Sequence, residues 1–428
     1  MMQILIILGK CVSRMSQLIG KGSGSTWPGY IVLSMYPRFI ARLHRMNPQT
    51  QIVFVSGTNG KTTTSMLLSS MLTSHGKKIF YNQSGANLMN GMASGFLNAS
   101  RIDGKISYDF LIFEVDENVL PLMLKEVMPA YIICLNLFRD QLDRYGELMT
   151  IAKKWQTSFA KLNDVQIVLN GDDPLVAWLG LGIEKPIYFG LPVSQMQKSE
   201  IIHGADSTYC PRCESKLEYK KVSYSHVGDW HCPSCGLNRP TPTYAFKPFT
   251  SELSGLYNQY NMAAAATVAK RIGATDSEIS DALMKVHPAF GRQEKVQKDG
   301  KEIQIILSKN PTGTNQSIET VLSLSKHPRV LFVLNDRIPD GTDVSWIWDT
   351  NMEQYINSFA EVLVSGDRVY DMALRIQYAG CEARVFPSLE EAIETGVKNT
   401  PKGETFYILP TYSAMLDVRK IITGRSIL

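Results

Sequence analysis

Long apolar runs are missing from this chain. Ile4 to Leu8 is an apolar run near the N-terminus, far short of the roughly 20 residues a membrane-spanning helix needs. It also lacks the cleavage site of a signal peptide. No transmembrane segment is expected, and a cytoplasmic location follows. A basic tract is missing as well. The 44 Lys and Arg against 40 Asp and Glu leave only +4 at pH 7, too mild to mark a nucleic-acid binder, so no nucleic acid partner is expected. Such a charge could still assist an anionic substrate or a membrane surface. Repeats and low-complexity tracts are absent too. Cys11, Cys134 and Cys381 lack the surroundings of an activated nucleophile, and Cys134 sits in the apolar run Tyr131 to Leu135, where it reads as a small hydrophobe. What remains is a 428-residue globular composition, 44% hydrophobic and 20% charged, long enough for two or three domains.

The most informative stretch is V-F-V-S-G-T-N-G-K-T-T-T, Val53 to Thr64. A β-branched apolar run leads into a Gly-rich turn, and Met66, Leu67, Leu68, Met71 and Leu72 then repeat at helical spacing. Strand, loop and helix in that order make an anion site from backbone N–H groups and the positive helix end. Gly57, Thr58, Asn59, Gly60, Lys61, Thr62 and Thr63 are the candidate cradle for the phosphates of ATP. Lys61 would offset phosphate charge and Thr62 would sit on Mg²⁺. Val55 occupies the place of the first Gly in the longer form of this motif, so the motif is G-x-x-G-K-T. The plain alternative is an ordinary Gly turn.

Cys210, Cys213, Cys232 and Cys235 form C-P-R-C and C-P-S-C-G, eighteen residues apart. Two such pairs supply a closed tetrahedral thiolate site, which suits a structural zinc ribbon. An iron–sulfur cluster or a redox dithiol pair remains open at this spacing.

Around these motifs, strand and helix patterns alternate. Strands are expected at Lys78 to Tyr81, Asp109 to Val115, Tyr131 to Leu135 and Val165 to Leu169. Helices are expected at Tyr257 to Ile272 and Asp276 to Val286. A second alternation follows a boundary near 296, with strands near Ile303, Val330, Glu361, Ala383 and Phe406. This predicts a doubly wound α/β architecture. The expected division is a helical lead-in at 1–48, an ATP-binding domain at 49–295 interrupted by the ribbon at about 206–240, and a C-terminal α/β domain at 296–428. Glu114, Asp116 and Glu117 fall at the C-terminal end of a strand, the edge where such sheets bind ligands. Glu114 is the candidate second Mg²⁺ ligand; a charged strand terminus is the alternative. Asn136, Arg139, Asp140, Asp143 and Arg144 follow the next strand, where a surface ion-pair network is the default reading.

In combination, G-T-N-G-K-T, E-V-D-E, N-L-F-R-D-Q-L-D-R-Y-G-E, G-L-Y-N-Q-Y-N-M-A-A-A and F-G-R-Q-E resemble the ATPase domain of the Mur ligase family. The inserted Cys₄ ribbon, N-P-T-G at 310–313 and N-D-R-I-P-D-G-T-D-V-S-W-I-W-D narrow the resemblance to the branch that forms the synthetase subunit of lipid II isoglutaminyl synthase. The resemblance implies a Mur ligase-type central domain and a Rossmann-like C-terminal domain. It implies a carbon–nitrogen ligase using ATP, Mg²⁺ and Zn²⁺ that amidates the α-carboxylate of D-glutamate in lipid II through an acyl phosphate. It also implies a glutaminase partner of the class I glutamine amidotransferase type (GatD-like) that supplies ammonia, and leaves room for peripheral attachment at the inner face of the membrane.

By that resemblance, Asn261 and Asn136 would contact adenine, Arg292 would reach the nucleotide from across the cleft, and Asp349 would complete the partner's catalytic triad. Outside it, Asn258 and Asn261 read as helix-surface amides and Asp349 as a helix N-cap. Two departures from the wider family stand out. Gln141 follows Asp140 where many members have a metal-binding His, and Ile306 to Pro311 lacks the ribose-binding Asp. Only about fifty residues precede the phosphate loop, so a UDP-binding domain is not expected and a lipid-linked substrate fits better. The rival readings are a Mur-type or folylpolyglutamate synthase-like amino-acid ligase, and a ribbon-based binding module.

Overall fold

The structure, a computed structural model, describes residues 2–18, 26–82, 85–139, 148–198, 205–246, 251–286 and 292–424. Three helices open it: α1 (Met2–Leu18), α2 (Trp27–Met35) and α3 (Phe39–Arg45). There follow β1 (Gln51–Ser56), α4 (Lys61–Ser74), β2 (Ile79–Tyr81), α5 (Met89–Ala99), β3 (Phe110–Val115), α6 (Leu120–Glu126), β4 (Tyr131–Cys134), α7 (Leu148–Phe159), β5 (Gln166–Asn170), α8 (Pro174–Leu179) and β6 (Ile187–Phe189). The hairpin β7 (Glu218–Tyr224) and β8 (Val227–His231) carries the ribbon, and α9 (Leu256–Ile272) and α10 (Asp276–Met284) complete the first lobe.

That lobe is one parallel sheet in the order β2-β3-β1-β4-β5-β6. β3, F-L-I-F-E-V, is buried along its whole length, as expected of a central strand covered on both faces. One face packs under α4, α9 and α10 through Leu67, Met71, Ala264, Val268 and Ile279. The other is covered by α5, α7, α8 and the opening helices, with Leu5, Ile6, Phe39 and Leu43 inside its core. The lead-in is therefore part of this lobe's packing. Pro174 starts α8 with Asp173 as its cap, and Thr275 with Glu278 closes a capping box at α10.

The second lobe contains β9 (Arg292–Lys298), β10 (Lys301–Ile306), α11 (Pro311–Leu324), β11 (Arg329–Val333), α12 (Met352–Tyr355), β12 (Glu361–Ser365), α13 (Val369–Tyr378), β13 (Arg384–Val385), α14 (Leu389–Asn399), β14 (Thr405–Pro410) and α15 (Tyr412–Thr423). Its sheet runs β13-β12-β11-β14-β10-β9. All neighbours are parallel except the β9–β10 pair. β9 lies wholly in this sheet, so its first strand begins at Arg292, before the boundary near 296 that the hydrophobic pattern suggests. That pattern misses β9 because the edge strand is R-Q-E-K-V-Q-K, with Val296 as its one apolar residue.

Candidate functional site

The register aligns Ser56 of β1 with Val115 of β3 and Cys134 of β4. The loop after β1, the acidic residues after β3 and Asn136 after β4 therefore emerge at one sheet edge. Two glycines are required in the loop. Gly57 has φ +136°, and a Cβ there would lie 2.9 Å from Leu135 Cβ. Gly60 has φ +92°, and its Cβ would meet Asn261 Oδ1 at 2.2 Å. Gly60 also caps α4 without any side-chain hydrogen bond. The first-turn N–H groups of the helix thus meet the loop without a competing capping side chain.

Asn136 clamps this loop. Its Oδ1 accepts from Asn59 N at 2.8 Å, and its Nδ2 donates to Asn59 O at 3.0 Å. Thr58 is held similarly, its N donating to Asn136 O at 3.1 Å and its Oγ1 accepting from Phe138 N at 3.0 Å. Asn261 Nδ2 donates to Asn258 Oδ1 at 3.0 Å, and its Oδ1 accepts from Thr64 Oγ1 at 3.3 Å. Asn258 and Asn261 are buried, which rules out the helix-surface alternative. Asn136, expected at adenine, thus bonds the loop, and Asn261, expected there too, bonds the helix behind it.

Lys61 Nζ donates to Gly57 O at 2.6 Å, to Glu117 Oε2 at 3.2 Å and to Thr58 O at 3.4 Å. Thr62 Oγ1 donates to Glu114 Oε2 at 2.7 Å. Glu114, Asp116 and Glu117 are all buried, unlike an ordinary charged strand end. Burial drives the pKa of Glu114 up, and Arg292, the Thr62 hydrogen bond and Lys61 only partly offset it, so the carboxyl stays above its usual range. Burial acts the same way on Glu117, but Lys61 and Lys309 outweigh it and hold that carboxyl below its usual value. Glu114 Oε1 is buried with no hydrogen-bond partner among the described residues. An unpartnered carboxylate oxygen beside a hydroxyl, next to a phosphate loop, fits the hard-oxygen requirement of Mg²⁺.

The second lobe reaches the same edge. Asn310 Nδ2 donates to Asn59 Oδ1 at 3.1 Å, while Asn310 Oδ1 caps α11 by accepting from Gly313 N at 2.7 Å. Sequence reading singles out N-P-T-G only as a family mark, although an Asn before a helix-starting Pro is itself a cap signal. Arg292 opens β9 and acts electrostatically on Glu114. Its neighbour Gln293 was not foreseen. It is buried, with φ +65°, and its Nε2 donates to Ser254 O at 2.6 Å and Tyr257 Oη at 2.8 Å. It thereby ties β9 to the start of α9.

Arg139 pairs with Asp206 and, through Nη1, with Asp349 Oδ2 at 3.5 Å. Asp349 ends a short 3₁₀ turn, Ser345–Asp349, and the N-cap of α12 is Asn351. The N-cap alternative for Asp349 is therefore corrected: the helix starts later, and the Asp349 side chain is 45% exposed. Asp140, Gln141, Asp143, Arg144 and the stretch 287–291 lie outside the described residues.

The four ribbon thiols lie within 4.8 Å of one another. Cys210 and Cys235 Sγ are 3.6 Å apart, and Cys213 and Cys232 Sγ 3.5 Å. Tetrahedral Zn–S bonds of about 2.3 Å place sulfurs about 3.8 Å apart, so the donor set fits a closed zinc site. His226 is buried at the hairpin turn with Nε2 3.5 Å from Asp173 Oδ2, remote from that shell in role.

A doubly covered parallel sheet with a phosphate loop at its edge, faced by a second α/β lobe, defines the ATP-dependent ligase fold of the Mur type. Residues 55–269 match the family described as Mur ligase middle domain, and residues 307–415 match MurT ligase C-terminal. The lipid II isoglutaminyl synthase (glutamine-hydrolyzing) subunit MurT of Streptococcus pneumoniae (strain ATCC BAA-255 / R6) is 32% identical over 100% of this chain and 99% of its own. Its namesake from Staphylococcus aureus (strain COL) is 30% identical over 96% and 95%. A pseudomurein peptide ligase type C from Methanothermus fervidus shares the fold, with a TM-score of 0.64 at 21% identity over 88% of this chain and 79% of its own. The chain belongs to the MurT family of Mur-type ligases.

Proposed function

We propose that this chain is the synthetase subunit of a lipid II isoglutaminyl synthase. The γ-phosphoryl group of ATP passes to the α-carboxylate of D-glutamate in the stem peptide, and ammonia displaces phosphate from the acyl phosphate to leave D-isoglutamine. The observation that carries this reading is the Lys61–Thr62 loop set against buried Glu114 and Glu117, in a chain with MurT likeness from end to end. Gly57 to Thr63 hold the triphosphate, and Arg292 approaches it from the second lobe. Asn136, from its clamp on Asn59, and Asn261, from beside Gly60, are placed to contact adenine. Thr62 and Glu114 would hold Mg²⁺, which would supply positive charge against the phosphates. Lys61, tied to Gly57 O and Glu117, is fixed where phosphoryl charge would develop, and this preorganisation carries most of its effect.

Ammonia comes from a partner of the class I glutamine amidotransferase type (GatD-like). Asp349 is exposed enough to orient a histidine of that partner, fixing its tautomer, once it leaves Arg139. An aromatic surface beside it supports the docking: Tyr370, Leu374 and Tyr378 form an exposed stripe on α13, and the Trp348 and Tyr378 rings stand edge to face at 5.4 Å. An amino-acid ligase of the Mur or folylpolyglutamate synthase type would use an amino acid as nucleophile. The Cys₄ ribbon and the MurT-type C-terminal lobe favour ammonia.

The test is amidation of detergent-solubilised lipid II with ATP and excess ammonium, read by mass spectrometry. The wild-type chain forms product, and Lys61→Ala does not, with Lys61→Arg and circular dichroism as controls for folding. Undiminished turnover by Lys61→Ala would refute the reading.

A further inference from the structure

The first acidic residue of the chain is Asp103, and ten Lys and Arg precede it. The whole chain carries only +4, so everything after that point is net acidic. The helices that open this basic region also expose apolar side chains. Leu5, Ile6 and Gly9 of α1 face inward, Gly9 so closely that a Cβ would meet Leu97 Cδ1 at 2.7 Å. On the opposite side Ile4 (68% exposed), Ile7 and Met15 recur at helical spacing, with Arg14 between them. α2 repeats the arrangement: Trp27 (61% exposed) and Tyr30 form an edge-to-face pair at 6.1 Å, with Met35 exposed further on. A helix apolar on both sides has its inner stripe accounted for by the core and its outer stripe left to water.

We propose that the outer faces of α1 and α2 form a docking surface for an anionic lipid bilayer. Charge complementarity decides the occupant. α1 carries Lys10 and Arg14, the exposed Arg38, Arg42 and Arg45 follow α2, and neither α1 nor α2 contains an acid. Aliphatic and aromatic side chains on such helices are suited to an interface where Trp and Tyr take the headgroup level and cations meet anionic lipid. The surface also connects to the candidate site. Gly29 of α2 sits against the first turns of α5, its N donating to Ser94 Oγ at 2.9 Å. The segment leading into α5 is in turn bonded to the acidic strand end, Asp116 N donating to Asn87 O at 3.1 Å. This inference rests on the reading of a lipid-linked substrate: a bilayer seated on α1 and α2 would bring such a substrate to the lobe that holds the phosphate loop.

The test is co-sedimentation of the full chain with phosphatidylglycerol-containing vesicles and with pure phosphatidylcholine vesicles, neither carrying lipid II. Binding to the anionic vesicles is expected. It should be lost at about 1 M salt, where the Debye length falls to about 3 Å. Ile4→Glu with Met15→Glu, and separately the milder Trp27→Ala with Tyr30→Ala, should weaken it about tenfold or more. Both pairs should still amidate detergent-solubilised lipid II at the wild-type rate, because no altered residue touches the loop. Wild-type-like vesicle binding by both variants, or no anionic binding by the parent chain, would overturn the proposal. So would a concentration-dependent dimer abolished by these changes without vesicle binding, which would assign the face to a second copy. Vesicle binding tests the surface and the detergent assay tests the reaction, so each can fail without the other.

Discussion

Glu114→Gln separates a metal ligand from a structural carboxylate. The substitution keeps the shape of the side chain and an oxygen to accept from Thr62 Oγ1, now 2.7 Å from Glu114 Oε2. It removes a buried charge whose Oε1 has no hydrogen-bond partner among the described residues. A buried unsatisfied acceptor costs about 1–3 kcal/mol, more when charged. Attraction from Arg292 and Lys61 returns part of that, so a net gain of about 1 kcal/mol is expected without Mg²⁺. That corresponds to a rise of about 2–4 °C in melting temperature for a lobe of this size. The pH dependence has a definite sign. The folded-state pKa of Glu114 lies above its ordinary value, so the ionised form costs stability at neutral pH, and that cost fades as pH falls through the raised value into the usual carboxylate range. The advantage of Gln should fade with it. With Mg²⁺ and ATP the order should invert, because ligand binding stabilises only a protein that still holds the metal. Differential scanning fluorimetry at several pH values, with and without MgATP, makes the comparison. A variant that melts below wild type without Mg²⁺ at neutral pH, or that gains as much from MgATP, would refute the assignment.

Gly60→Ala forces a left-handed residue, at about 1–2 kcal/mol, and drives its Cβ onto Asn261 Oδ1. Isothermal titration should show ATP affinity lowered by at least about tenfold with far-UV dichroism unchanged, and wild-type affinity would count against the loop geometry. Asp349→Asn should cut glutamine-driven amidation on the order of 10³–10⁴-fold while leaving ammonium-driven turnover intact, and equal loss of both would remove the triad role. Stripping metal with a chelator, or Cys232→Ser, should lower the melting temperature and weaken ATP binding together; unchanged ATP affinity would disconnect ribbon from loop.

The first lobe was legible because its signals are local. V-F-V-S-G-T-N-G-K-T encodes strand, left-handed glycines and helix start within a dozen residues, and F-L-I-F-E-V can only be a strand covered on both faces. The two Cys pairs announce their site by spacing alone. What stayed hidden depends on side chains distant in sequence. Nothing near Asn136 or Asn261 in sequence reveals that one bonds Asn59 in the loop and the other Thr64 in the helix after it. Asp349 resembled a cap because Asp before a helical pattern usually is one, yet the chain makes a 3₁₀ turn first and Asn351 takes the position. Gln293 and Asp206 lie in polar stretches with no periodicity, and only the meeting of lobes and ribbon gives them partners.

The ribbon's place in the fold follows from the same contacts. Four thiols could hold a metal anywhere on the surface, but this hairpin is fastened to the turn after β5. Gly228 N donates to Asp172 O at 2.9 Å, Trp230 Nε1 to Gly171 O at 3.2 Å, and Arg239 Nε to Asp172 Oδ1 at 2.7 Å. Asp173 in that turn caps α8 and accepts from Leu137 N at 3.0 Å. The ring of His226 lies on Phe138, 4.8 Å between centres, and Phe138 N donates to Thr58 Oγ1 inside the phosphate loop. One strand, β4, therefore lies between the strand that carries the nucleotide cradle and the strand whose turn holds the ribbon, and three consecutive residues after it, Asn136, Leu137 and Phe138, touch the loop, the cap and the hairpin. A ribbon whose hairpin loses its metal would give up its hold on Asp173 and Phe138 first, and the backbone that clamps Thr58 and Asn59 would loosen before the sheet itself did.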